Sequence, residues 1–286
     1  MKAPAFDYVK PKHLSDVFAL FAKYGDEAKL LAGGQTLLAT LNMRLSEPSV
    51  LIDISGIETM RGISVNGQML RIGALTTHSE IESSAVIATN APLLSKTAPN
   101  IAHRAIRNLG TIGGSLAYAD PAAEWPTCVV ALDAMIVVRG AAGERRIAAS
   151  DFFVDLYQTA LQTGELVTAI EVPVKTALQW CDFAELSRRH GDYAIAGLAG
   201  CAQRSGNALS QVRLVLLGIG ATPLRAKRAE AIVEGAPLTD ALIEQACAAL
   251  KAEIEPVADL TSNADTKRHL AGVLLKRMLT NAARGA

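Results

Sequence analysis

The sequence predicts an α+β fold, on three observations. Short apolar runs of strand length are interleaved with helix-period stretches up to about residue 175. Two Gly-Gly loops, Ala32-Gly33-Gly34-Gln35-Thr36 and Thr111-Ile112-Gly113-Gly114-Ser115, each precede a helix-like run. From Leu178 onward the pattern changes to glycine-containing apolar segments and then three helical stretches, a small sheet plus a helical bundle.

In chain order, Ser15-Asp16 opens a helix with Val17, Leu20, Phe21 and Tyr24 at helical spacing, and Gly25 closes it. Lys29-Leu30-Leu31 is a strand running into the first Gly-Gly pair. Thr36 to Leu45 is a helix stopped before Pro48, and Val50 to Ile54 is the next strand. Met69 to Gly73 is again a strand. Thr77-His78-Ser79-Glu80 has the spacing of a capping box, which gives His78 a structural role. Pro92 to Ala105 reads as one helix, and the second Gly-Gly loop follows it. Thr127 to Ala134 is a helix and Met135 to Arg139 a strand. Leu166 to Val172 is a strand stopped by Pro173. Tyr193 to Ala202 and Val212 to Gly218 suit buried strands. Helices are expected at 226–234, 240–253 and 265–282.

Composition narrows the function classes. A chain of 286 residues with 50% hydrophobic content builds a substantial core, and it is long enough for two or three compact units. Lys+Arg and Asp+Glu are both 28, with no block of like charge, which argues against a nucleic-acid binder. The N-terminus lacks the apolar core of a signal peptide, and no apolar run nears the roughly 18 residues of a membrane span. A cytoplasmic protein without a transmembrane segment is expected. Cys128, Cys181, Cys201 and Cys247 are scattered, so each reads as a small core residue rather than a disulfide or thiolate ligand. No pair of His13, His78, His103, His190 and His269 has the i, i+4 spacing of a helical metal pair.

The two glycine loops carry the chemistry. Adjacent glycines leave backbone N–H groups free to converge on an anion, and a following helix adds its positive end. Two such loops suit a diphosphate. The competing reading is a pair of tight turns. Neither loop has the Rossmann or P-loop spacing. Asp120 and Glu124 follow the second loop at helical spacing, if Pro121 opens a helix there. Next to a diphosphate they suit sugar hydroxyls; otherwise Asp120 is an N-cap and Glu124 an exposed first-turn acid.

Ala32-Gly33-Gly34-Gln35-Thr36-Leu37-Leu38, Gly110-Thr111-Ile112-Gly113-Gly114-Ser115 and Asp120-Pro121-Ala122-Ala123-Glu124 together resemble the FAD-binding medium subunit of the molybdenum hydroxylases. That family includes the carbon monoxide dehydrogenase flavoprotein and the flavin domain of xanthine dehydrogenase. Further stretches fall in the expected order: Ile72 to His78, Asp151 to Phe153, Gly164 to Val167, Ser187 to Ala194, and Pro223 to Ala226.

The resemblance implies a PCMH/vanillyl-alcohol-oxidase-type FAD-binding domain over 1–175, with subdomains of about 1–56 and 57–175. A carbon monoxide dehydrogenase flavoprotein C-terminal domain would cover 178–286. It implies FAD contacts at Leu31, Ala32, Gly33, Gly34, Gln35 and Thr36, and at Gly110, Thr111, Ile112, Gly113, Gly114 and Ser115. Asp120, Glu124, Val167 and Tyr193 complete the set, with Tyr193 beside the isoalloxazine ring. Gln35 stands where covalent relatives of the wider fold often have His, so the FAD is expected to be non-covalent. The chain departs from the family at Ser115 (usually Asn), at Tyr118 and at Ala184. The implied partners are a large molybdopterin-binding subunit and a small subunit with 2Fe-2S clusters, in a dimer of heterotrimers. The implied activity is electron transfer through FAD to an external acceptor, with no catalytic acid, base or metal site in this chain. A self-contained FAD oxidoreductase and a non-redox nucleotide-binding module are the alternatives.

Overall fold

The computed structural model describes residues 2–285. The N-terminal unit begins with β1 (Asp7–Val9), α1 (Leu14–Tyr24), β2 (Ala28–Leu31), α2 (Leu37–Asn42) and β3 (Val50–Asp53). The three strands form a parallel sheet in the order β1-β3-β2. All four residues of the central β3 are buried, as a parallel strand covered on both faces requires. The helix expected over Thr36 to Leu45 is shorter because Arg44 takes a left-handed φ of 56°.

A second, antiparallel sheet follows in the order β4-β5-β10-β6-β7, made of β4 (Ile63–Asn66), β5 (Met69–Gly73), β6 (Met135–Gly140), β7 (Gly143–Ala148) and β10 (Leu166–Pro173). A two-stranded ribbon, β8 (Phe153–Asp155) with β9 (Gln158–Thr159), leaves it after the short α9 (Ala149–Phe152). Between β5 and β6 run α3 (His78–Ser83), α4 (Ala85–Asn90), α5 (Pro92–Thr97), α6 (Arg104–Arg107), α7 (Ile112–Tyr118) and α8 (Glu124–Ala131). The single helix expected over Pro92 to Ala105 is broken into α5 and α6. Pro99 cannot supply an N–H, and Ala102 adopts a φ of 44°.

Arg107 holds that break together. It is buried, and its guanidinium donates to the carbonyls of Ile101 and Ala102 at 3.1 Å and to Glu82 at 2.8 Å. Arg107→Ala orphans these acceptors and leaves Glu82 without its ion pair. It is expected to cost about 3 kcal/mol and to lower the thermal midpoint by roughly 5–10 °C. An unchanged melting curve would contradict this role.

The C-terminal sheet has the order β11-β12-β13-β14: β11 (Gln179–Leu186), β12 (Ala196–Ser205), β13 (Ala208–Leu217) and the short β14 (Leu224–Arg225). The helices α10 (Lys227–Val233), α11 (Asp240–Glu253) and α12 (Ala264–Arg284) pack on one face of it. Side-chain alternation explains the layering. Trp180, Leu198, Leu214 and Leu216 point into a core shared with these helices. Cys181, Phe183, Ala199, Cys201, Val215 and Leu217 point the other way and join Trp125 and Cys128 of α8 in the N-terminal core. The sheet is therefore sandwiched between the two parts of the chain. Each fully buried Val, Leu or Phe there contributes about 1.5–3 kcal/mol, so α8 is firmly seated on the sheet. Among the described residues no helix is long and apolar enough to cross a membrane.

Candidate functional site

The two glycine loops meet. A Cβ on Gly33 would lie 2.0 Å from the Leu109 carbonyl oxygen, a separation no side chain tolerates. A Cβ on Gly114 would meet Thr111 Oγ1 at 2.9 Å and lie 3.9 Å from the Ala32 methyl of the first loop. Gly34 takes a φ of 71°, the left-handed turn that favours glycine.

Their backbones differ in what they offer. In the first loop, the amides of Ala32, Gly33, Gly34, Gln35 and Thr36 donate to nothing among the described residues. Gln35 turns back on the loop, its side-chain amide donating to the Gly33 carbonyl at 2.9 Å. In the second loop most amides are already engaged. Ile112 donates to Thr76 at 3.1 Å, Gly113 to Ala74 at 2.9 Å and Ser115 to the Thr111 carbonyl at 3.1 Å. The Gly114 amide donates to Thr111 Oγ1, which caps α7. The second loop thus departs from the expectation that adjacent glycines leave their amides free. Gly113 is required because α7 lies against Ala74, where a Cβ would come within 2.5 Å of that methyl. The second loop therefore presents hydroxyls and a close backbone rather than a row of donors.

Gly110 is explained by His78. A Cβ there would strike the imidazole at 2.7 Å. His78 is buried, and its Nδ1 accepts a 2.9 Å hydrogen bond from Trp125 Nε1. Burial, and then the charge of Arg107, lower its pKa to about 4, so it is neutral at pH 7. The capping box at Thr77 and Glu80 forms as expected. His78 thus braces the second loop against α8.

The helix α7, about 10 Å long at 1.5 Å per residue, leads from the glycine loops to a cluster of acids and tyrosines. Asp120 does not cap a helix. Its carboxylate accepts from the Ala122 amide at 2.9 Å in an Asx-type turn, and α8 begins only at Glu124. Burial raises the Asp120 pKa against that hydrogen bond. Glu124 is not an exposed first-turn acid. Burial, and then the negative charge of Glu185, push it up to about 8. Glu185, on the α8-facing side of β11, is pushed up to about 7 by burial. Its Oε2 is buried with no hydrogen-bond partner among the described residues.

Tyr118 and Tyr157 pack edge to face at 5.2 Å between ring centres. Partial desolvation, and then the charge of Asp120, raise the Tyr118, Tyr157 and Tyr193 phenols. Tyr193 is 71% exposed, a ring presented to solvent on the loop between β11 and β12. Gly191, φ 85°, presses that loop onto His103.

The structure therefore joins the first loop to the second at one end of α7, and Asp120, Glu124 and Tyr193 at the other. Val167 stands apart from the exposed groups: it is 4% exposed and packed in the core of β10. Sequence reading missed Tyr157 and Glu185. Nothing local marks Tyr157, whose φ of 54° becomes visible only in the folded chain. Glu185 lay in a segment not read as a strand.

Residues 4–175 match the model of the FAD binding domain in molybdopterin dehydrogenase, and residues 182–282 match that of the CO dehydrogenase flavoprotein C-terminal domain. The chain is 38% identical to 6-hydroxypseudooxynicotine dehydrogenase complex subunit alpha of Paenarthrobacter nicotinovorans, over 99% of this chain and 96% of that one. Among solved structures, carbon monoxide dehydrogenase from Hydrogenophaga pseudoflava superposes with a TM-score of 0.96 at 38% identity, covering 100% and 99% of the two chains. Quinoline 2-oxidoreductase from Pseudomonas putida 86 gives 0.95 at 33% identity, with the same coverage. The fold, the paired glycine loops and these likenesses agree: the chain belongs to the family of FAD-binding medium subunits of the molybdenum hydroxylases.

Proposed function

We propose that this chain is the electron-transfer subunit of a larger oxidoreductase. Electrons would come from the 2Fe-2S clusters of a small partner subunit and leave to an external acceptor, while a large molybdopterin-binding subunit acts on the substrate in a dimer of heterotrimers. The observation that carries the reading is the run of five unengaged amides from Ala32 to Thr36, braced by the second loop and joined through α7 to exposed Tyr193.

The residues fit FAD. Amides of the first loop suit a diphosphate, with the Thr36, Thr111 and Ser115 hydroxyls beside them. No Lys or Arg stands in either loop, so charge there is met by backbone dipoles. Asp120 and Glu124 suit ribose or ribityl hydroxyls, and a protonated Glu124 can donate as well as accept. Tyr193 offers a flat face to the ring system. Gln35, tied to its own loop, leaves the cofactor non-covalent. Bound there, FAD supplies hydride and one-electron chemistry, and the chain's part is to hold and orient it. We place the division between the two domains at residues 175–178, and we expect the protein in the cytoplasm.

Native purification with absorption spectra and identification of co-purifying chains tests the assembly. Flavin, iron–sulfur and molybdenum signals together support it. A stable, flavin-loaded chain found alone counts against the partners, and a colourless chain that takes up no FAD counts against the whole reading. Gly114→Val tests the loop geometry, since its side chain would crowd the Thr111 hydroxyl that caps α7 and enter the space facing Ala32. FAD loss, read as the 450 to 280 nm absorbance ratio, is expected; normal content would contradict the proposed contact.

A further inference from the structure

The four cysteines are scattered in sequence, but the fold gathers two of them. Cys181 on β11 and Cys201 on β12 are direct cross-strand partners. The Arg204 amide donates to the Leu178 carbonyl at 2.8 Å, which makes 178 and 204 a hydrogen-bonded pair. Alternation along this antiparallel ladder then makes 181 and 201 a non-hydrogen-bonded pair, the position where facing side chains approach most closely. The Cα separation of such a pair, about 4.5 Å, lies within the disulfide range. The two Sγ atoms are 2.6 Å apart.

Their environments differ. Cys201 is 1% exposed, and burial, then its contact with Cys181, keep it a thiol. Cys181 is half-buried and retains solvent contact. Both side chains lie on the face of the sheet packed against α8, where Cys128 is a third, fully buried sulfur.

We propose that Cys181 and Cys201 form a redox-modification site at which a hydroperoxide converts two thiols into a cross-strand disulfide. The Cys181 thiolate attacks the peroxide O–O bond. One oxygen transfers to sulfur, giving a sulfenic acid, and the other leaves as hydroxide or alkoxide. The Cys201 sulfur then attacks the sulfenic sulfur, and the hydroxyl departs with the Cys201 proton as water. In sum, two thiols and one hydroperoxide give one disulfide, one water and one further water or alcohol. The two sulfurs are oxidised and the peroxide bond is reduced. Cys181 goes first because only it can be reached from solvent.

The test uses the natively purified full chain with whatever subunits accompany it. The protein is treated with hydrogen peroxide, blocked with an alkylating agent in denaturant, and digested with trypsin without reductant. Residues 176–188 and 190–204 fall on separate tryptic peptides, one carrying each cysteine. The expected product joins them, two hydrogens lighter than their sum, and separates on reduction. Cys128→Ser should leave this cross-link unchanged. Cys201→Ser should instead leave a sulfenic acid on Cys181, captured by a 1,3-diketone probe. Four alkylatable thiols after treatment, or a cross-link joining a different pair, would overturn the proposal.

Discussion

Gly33→Ala is expected to weaken FAD binding more than any other single change in the loops. A single methyl at this position meets the Leu109 carbonyl at 2.0 Å and the Gly110 Cα at 2.9 Å, both backbone atoms that cannot swing aside. Either the two loops separate or the first loses its shape. Both outcomes spoil the row of amides from Ala32 to Thr36. FAD affinity should fall at least tenfold, or about 1.4 kcal/mol. Gly34→Ala is the informative companion. Its added methyl meets side-chain atoms of Leu31 and Leu38 at 3.1–3.2 Å rather than backbone, so its main cost is a left-handed φ, about 1 kcal/mol. Titration of the flavin-free variants with FAD should rank them wild type, Gly34→Ala, Gly33→Ala. Circular dichroism checks that both are folded. Equal affinity in Gly33→Ala and wild type would mean that the packing of the loops has nothing to do with the cofactor.

The second large effect concerns pH. Glu124 and Glu185 hold their protons up to about 8 and about 7, well above the ordinary glutamate value. The folded chain therefore binds more protons than the unfolded one through that window, and stability falls as pH rises through it. Below the ordinary glutamate range both states are protonated and the difference vanishes. Glu185→Gln keeps the shape and removes one of the two ionisations. It is expected to leave stability unchanged near pH 4. At pH 8.5 it should raise stability by about 1–2 kcal/mol, the figure reduced because Glu185 is partly solvated. It should also let Glu124 ionise at lower pH, because the neighbouring charge is gone. Denaturant midpoints of the flavin-free chain at both pH values check the sign. A variant that tracks wild type across the range would show that Glu185 ionises freely in the folded protein.

Legibility in the sequence followed the range of the interaction concerned. The capping box at Thr77 was readable because both partners lie within one turn. The strand at 69–73 and the helices at 226–234 and 240–253 were readable from local periodicity, and each forms close to its expected bounds. Failures occurred where distant contacts override local pattern. The unbroken helix over Pro92 to Ala105 did not anticipate the bend that Arg107 ties down from Glu82. Strand β11 was missed because Gln179, Asp182 and Glu185 dilute its apolar signal, and only pairing with β12 makes it a strand. Asp120 and Glu124 were read as a cap and a surface acid or as sugar ligands. The setting of Glu124 depends on Glu185 of β11 and on the packing of α8 against β12 and β13, all remote in sequence.

Fold class, family and the order of the glycine loops could be read from the residues alone. These rest on residue types at fixed spacing, which the chain carries wherever it goes. Tertiary structure decided what each glycine is for. Gly33, Gly110 and Gly113 are small because Leu109, His78 and Ala74 come up against them. It also decided that the free amides belong to the first loop, since the second spends its own on Ala74, Thr76 and Thr111. A backbone donor looks the same in any sequence, and only packing settles whether an acceptor reaches it first.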